Sequence, residues 1–160
     1  MTSKREIGSK IRKRLLPLIL APSISPRILK DNIQFIREDE SRNSSFLYDK
    51  SHRIRFFRYE NQYIPTIQFI REHPTIDLPL VKVDEGATSH ILKGADIYNQ
   101  GITFINQKFE VNTIVMISNP QNAILALGKT MMGSSELISS KGKGILNIHY
   151  LGDKIWENKL

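Results

Sequence analysis

A chain of 160 residues with 40% hydrophobic side chains has room for one sizeable domain or two small ones, and too much apolar surface to stay disordered. It has no cysteine, which excludes disulfides, thiolate catalysis and thiolate zinc sites, and no apolar run approaches the roughly 18 residues that span a bilayer. The net charge of +7 is lopsided: residues 1–82 hold 16 Lys and Arg against 9 Asp and Glu, residues 83–160 hold 7 against 7, and every arginine lies at or before Arg71. Bidentate phosphate recognition is therefore concentrated in the first half. A basic patch of this kind marks an anionic partner or, in the plainer reading, serves solubility.

The N-terminus imitates an export signal. Lys4, Arg5, Lys10, Arg12, Lys13 and Arg14 precede the apolar stretch from Leu15 to Ala21. That stretch is short, contains Pro17 and continues into Ala21-Pro22-Ser23 without a small-residue cleavage pattern. Ile7, Ile11, Leu15 and Leu18 share one helical face, which predicts a folded basic helix and a cytoplasmic protein. By the same reading Asn43-Ser44-Ser45 is a glycosylation sequon in form only. Ser25-Pro26 is a helix start, with a capping hydroxyl and proline at the first position. Leu29, Ile33 and Ile36 then repeat at helical spacing before a polar loop over 38–45. Strands are predicted at 46–48 and 52–59 around a turn at 49–51. In the second strand Ile54 and Phe56 are expected on one face, Arg53, Arg55 and Phe57 on the other. Thr66–Glu72 reads as a short helix stopped by Pro74, and Asp77-Leu78-Pro79 as a domain boundary.

The second half alternates short apolar strands with turns, as a barrel does. Strands are expected at 80–83, 95–98, 111–117, 123–130 and 145–149, with a turn at 119–122 and short helices at 85–92 and 134–139. Phe104, Ile105 and Phe109 are expected to close the core. Gly128-Lys129-Thr130 looks like the end of a phosphate-binding loop, but Ala123 stands where the first glycine belongs, and the residues between form an apolar strand. His52, His73, His90 and His149 are dispersed without metal-ligand spacing. Asp84-Glu85 suits a helix start. No catalytic or metal site and no cofactor is predicted.

One segment stands apart: V-D-E-G-A-T-S-H-I-L-K-G-A-D-I-Y-N-Q-G-I at 83–102, where two Gly-Ala pairs bracket a short helix. Small residues there let another backbone approach, which suits binding better than chemistry. The segment resembles the opening of a PUA domain. F-F-R-Y-E-N-Q-Y-I-P-T-I-Q-F-I-R-E-H-P at 56–74 resembles the end of the domain preceding it in the malignant T-cell-amplified sequence (Tma20-like) translation family. K-G-K-G-I-L-N-I-H-Y-L-G-D-K-I-W at 141–156 resembles that family's last strand. The absence of cysteine and the abundance of isoleucine would suit an archaeal-type member.

The resemblance implies an α+β leader domain over 1–78 followed by a PUA-like mixed β-barrel over 79–160. It also implies a non-catalytic RNA-binding protein acting in translation on tRNA or small-subunit rRNA at the small ribosomal subunit. Members pair with a separate protein carrying an initiation-factor-like domain, and a similar partner is expected here. The alternative is an RNA-targeting accessory subunit of a tRNA or rRNA modification enzyme. By resemblance, one wall of an RNA groove would use Gly86, Ala87, His90, Lys93, Gly94, Ala95, Asp96 and Ile97, with Gly101 turning the chain away. The other wall would use Lys141, Lys143 and the strand to His149. Arg53, Arg55, Phe57 and Arg58 form a second candidate surface, basic residues around an aromatic. The plainer reading is a sheet with solvated arginines and Phe57 packed beneath the first helix.

Overall fold

Three of the short helices begin where a side chain satisfies an orphan backbone donor. Ser25 Oγ accepts from the Ile28 N–H at 3.3 Å, Thr66 Oγ1 from Phe69 at 3.3 Å and Asp84 Oδ1 from Ala87 at 2.8 Å. The computed structural model describes residues 3–20 and 25–160, so Ala21-Pro22-Ser23, into which the apolar stretch continues, lies outside the described residues. The chain forms two compact units, one ending at Asp77, the other beginning at Leu78. No helix among the described residues is long and apolar enough to cross a membrane.

The first unit is α+β. Its strands β1 (Arg5–Glu6), β2 (Phe35–Asp39), β3 (Ser44–Tyr48), β4 (Ile54–Tyr59) and β5 (Gln62–Pro65) form one antiparallel sheet in chain order. Its helices are α1 (Ser9–Leu15), α2 (Pro26–Asn32) and α3 (Ile67–Glu72). Of the expected apolar face, Leu15 is buried within α1 and Ile7 is buried ahead of it, but Leu18 is exposed at the end of a 3-10 turn that follows. The Leu29–Ile33–Ile36 series is not one helix: α2 stops at Asn32, and Ile36 sits in β2 opposite Leu47. The expected loop over 38–45 is a tight return. Asp39 caps a 3-10 turn over Glu40–Arg42, and Asn43 at φ 48° leads directly into β3.

A bulge in β4 overturns the expected alternation. Leu47 pairs with Phe56 but Tyr48 pairs with Ile54, leaving Arg55 as the extra residue. Ile54, Arg55, Phe56 and Phe57 are all buried, and because Phe56 and Phe57 are regular neighbours in the ladder, both faces of β4 are covered.

The second unit is a mixed six-stranded sheet in the order β7-β11-β10-β9-β6-β8. Its elements are β6 (Leu80–Val83), α4 (Glu85–Ile91), β7 (Ile97–Tyr98), β8 (Ile102–Ile105), β9 (Ile114–Ser118), β10 (Ile124–Thr130), α5 (Ser134–Ser139) and β11 (Lys143–Tyr150). β6 runs parallel to β9; the other pairings are antiparallel. The two edge strands, β7 and β8, are consecutive in the chain and joined by a 3-10 turn over Asn99–Gly101, so the sheet curls toward closure. Val81, Val83, Ile91, Ile97, Val115, Ile117, Leu125 and Ile145 make its core, with Ile105 and Phe109 packed against it. Phe104 does not close this core. It lies opposite Lys82 on the outer face, 52% exposed, with the ammonium 5.6 Å from the ring centroid. Gly128 is in mid-strand, where a Cβ would fall 2.3 Å from Ile145 Cγ2, so close packing accounts for the glycine of the phosphate-loop look-alike.

Candidate nucleic-acid interface

The start of α4 is built by Asp84, whose carboxylate caps the helix while its N–H donates to Gly101 O at 2.9 Å. Gly86 is exposed in the first turn, and Ala87 is half-buried facing Gly101. The helix closes with a Schellman pair, Gly94 N–H to Ile91 O at 3.0 Å and Ala95 N–H to His90 O at 3.1 Å. Gly94 sits at φ 92°, and a Cβ there would fall 3.0 Å from the Tyr150 ring. Its glycine is thus explained by the helix end itself. His90, Lys93 and Ala95 are exposed around it.

The final strand holds this connection. Asp96 Oδ1 accepts from the Asn147 backbone N–H at 2.8 Å, and Asp96 Oδ2 lies 3.0 Å from Lys143 Nζ. The Asn147 side-chain amide donates to Ile91 O at 3.1 Å and Ala95 O at 3.0 Å. The hydrogen bond and charge of Asp96 raise the pKa of the Lys143 ammonium. Because Tyr98 pairs with Lys143 and Ile97 with Ile145, the two expected walls are one continuous surface rather than opposite sides of a cleft. Lys141 is exposed at its edge. The cavity of about 410 Å³ in this unit opens elsewhere, between residues 108–111 and 131–136, and none of the expected residues line it.

Four expected contacts are withdrawn from the surface. Ile97 is in the core. His149 is fully buried opposite Leu127, its Nδ1 2.8 Å from Asp153 Oδ2. Arg55 is 1% exposed, ion-paired with Glu72, 3.9 Å from Asp49 and 5.1 Å from the Phe69 ring centroid. Phe57 is buried between Phe46 and Ile64 in the sheet. Of the arginine group, Arg53 and Arg58 reach solvent. Arg53 is engaged by Asp49 at 3.0 Å, and Arg58 donates to Glu60 O at 3.0 Å. The second candidate surface therefore does not assemble. Among the described residues no trio of His, Asp or Glu side chains is placed to hold a metal ion.

Two residues escaped the sequence reading. Tyr98 is 54% exposed beside Lys143, and its signal is the alternation from buried Ile97 to outward Tyr98. Asn147 ties down the α4–β7 connection, and its signal is an asparagine inside a strand, where that residue is depleted.

A family model for the PUA domain matches residues 79–151. The chain is 37% identical over 119 residues to translation machinery-associated protein 20 of Saccharomyces cerevisiae, covering 69% of this chain and 65% of the yeast protein. That is just under two thirds of the yeast protein's length. It is 34% identical over 137 residues to malignant T-cell-amplified sequence 2 of Homo sapiens, covering 81% of this chain and 73% of the human protein. Among solved structures, a conserved PUA domain protein from Thermoplasma acidophilum superposes with a TM-score of 0.70 at 22% identity, over 98% of this chain and 99% of that one. A PUA domain structure from Aeropyrum pernix reaches 0.75 at 19% identity, over 99% and 91%. Those two establish the fold: an α+β leader followed by a PUA-like mixed barrel. With its PUA domain and these relatives, the chain belongs to the malignant T-cell-amplified sequence and translation machinery-associated protein 20 family.

Proposed function

We propose that the protein binds RNA through the surface made by α4, the connection to β7, and β11, and that it acts in translation without catalysis of its own. The observation that carries this reading is the family: a relative 37% identical is named as translation machinery-associated, and the matched PUA domain is an RNA-binding module. The geometry supports it. Lys93, Lys141 and Lys143 supply point charges, Tyr98 offers an exposed ring, and the helix end is held rigid by Asn147. Such a surface suits an unpaired strand whose bases can splay and stack. The RNA is tRNA or small-subunit rRNA, the place of action the small ribosomal subunit in the cytoplasm, and the initiation-factor-like domain comes from a separate protein.

The test titrates fluorescent tRNA and isolated small subunits with wild type and a Lys93→Glu, Tyr98→Ala double variant across a salt series. Gly94 is avoided, since its φ and the Tyr150 ring would make any side chain there a folding defect. Log affinity is expected to fall with log salt by about 0.7 per phosphate contact on a single strand, with binding lost in the variant. A steep slope unchanged in the variant would move the RNA site to the basic leader. Absence of binding to both RNAs would overturn the reading. Co-purification with a modification enzyme in place of ribosomes would replace it with the accessory-subunit role.

A further inference from the structure

The geometry points to Asp96 as a mask on Lys143. In the free protein its carboxylate neutralises the ammonium that β11 presents beside Tyr98, so an incoming phosphate must compete for that lysine. This rests on the reading that the surface binds RNA.

The two partners are not held alike. Asp96 is fixed from two sides. Its Oδ1 takes the Asn147 backbone N–H at 2.8 Å, and the connection that carries it is pinned by the Asn147 side chain at Ile91 O and Ala95 O. Lys143 meets Asp96 Oδ2 at 3.0 Å through a flexible four-carbon stem, with 42% of its side chain exposed against 27% for Asp96. Lysine is therefore the partner that moves. A pair this exposed is weak enough for a phosphate to displace. Yet a phosphate that takes Lys143 leaves the Asp96 carboxylate bare beside the RNA, and the cations this carboxylate attracts offset those the phosphate releases. Tyr98, cross-strand from Lys143, is the ring on which the base of the same nucleotide would stack.

Asp96→Asn isolates the charge, because asparagine keeps an oxygen for the Asn147 N–H. RNA affinity and its salt dependence are compared for wild type, Asp96→Asn, Lys143→Ala and the double variant, with thermal unfolding of each as the folding control. Unmasking one phosphate contact should steepen the log–log salt slope by about 0.7, a gain of roughly fivefold at about 0.1 M salt. The gain should vanish when Lys143 is already alanine. Lys143→Ala alone should change the wild-type slope by less than one full contact, a result that stands even if Asp96→Asn fails to fold. Weaker binding by a folded Asp96→Asn protein would overturn the mask and make Asp96 an RNA contact. A gain that persists without Lys143 would reduce it to general repulsion. Wild-type protein that binds no RNA would instead overturn the reading on which the mask rests.

Discussion

A guanidinium with 1% of its side chain exposed needs carboxylates within reach, and Arg55 has Glu72 and Asp49. The two ends of this pair should respond differently to mutation. Glu72→Ala leaves a buried cation with only Asp49 at 3.9 Å, a loss of about 3 kcal/mol on the scale of broken buried pairs. Arg55→Met removes the buried charge itself. Both carboxylates keep Arg53, at 3.0 and 3.7 Å, so the loss should be about 1 kcal/mol. Urea unfolding of the two variants checks the order, and RNA affinity should be unchanged in both. Asp153 gives the acid-side prediction. Burial alone would raise its carboxyl; the hydrogen bond and charge of His149, with the N–H groups of Trp156 and Tyr150, outweigh burial and hold it below the ordinary 3.8. A carboxyl depressed by folding lends stability that is whole above its unfolded value and is lost as the pH falls through the folded one. Urea midpoints measured against pH should therefore drop below pH 3.8 in wild type, and this drop should be shallower in Asp153→Asn.

The elements that local chemistry specifies were legible in the sequence: the helix starts at Ser25, Thr66 and Asp84, the Asn119 turn and the long apolar strands of the second unit all follow from nearby residues. What was not legible depends on pairing. Ile36 satisfies a helical spacing and a strand equally well until Leu47 is brought opposite it. β5 ends on Pro65, which argues against a strand, and the two isoleucines of β8, Ile102 and Ile105, stand at a helical spacing of three. The bulge at Arg55 exists only as a mismatch between β3 and β4. The candidate site divides in the same way. Its helix, its Gly94 and its lysines were legible, whereas the bonds that weld α4 to β11 join residues more than 50 apart in the chain. Those bonds predict that Asn147→Ala leaves the Ile91 and Ala95 carbonyls without this donor, at a cost of roughly 1–2 kcal/mol. Amide exchange should quicken across residues 91–97, and RNA affinity should fall although no charge has changed.

At the scale of the whole molecule the charge is the feature that neither unit's packing explains. The excess of cations lies before residue 83, whereas residues 83–160 are balanced. Much of the leader's arginine is already consumed internally, by Glu38, Asp31, Asp39, Asp49 and Glu72. Lys10 and Lys13 on α1 and Lys30 on α2 are exposed. A field of this kind acts at a distance: it raises the rate of encounter with a polyanion without needing a contact in the complex. Changing the three lysines to glutamine removes three of the seven net positive charges and touches no buried residue. Stopped-flow association with RNA should slow by about tenfold at low salt, at the lower end of electrostatic steering, while the dissociation rate stays near wild type. The difference should shrink as salt brings the Debye length below about 10 Å. A change confined to dissociation would make these lysines direct contacts and extend the interface onto the leader. No change in either rate would return the leader's charge to solubility, leaving the PUA surface to find its RNA unaided.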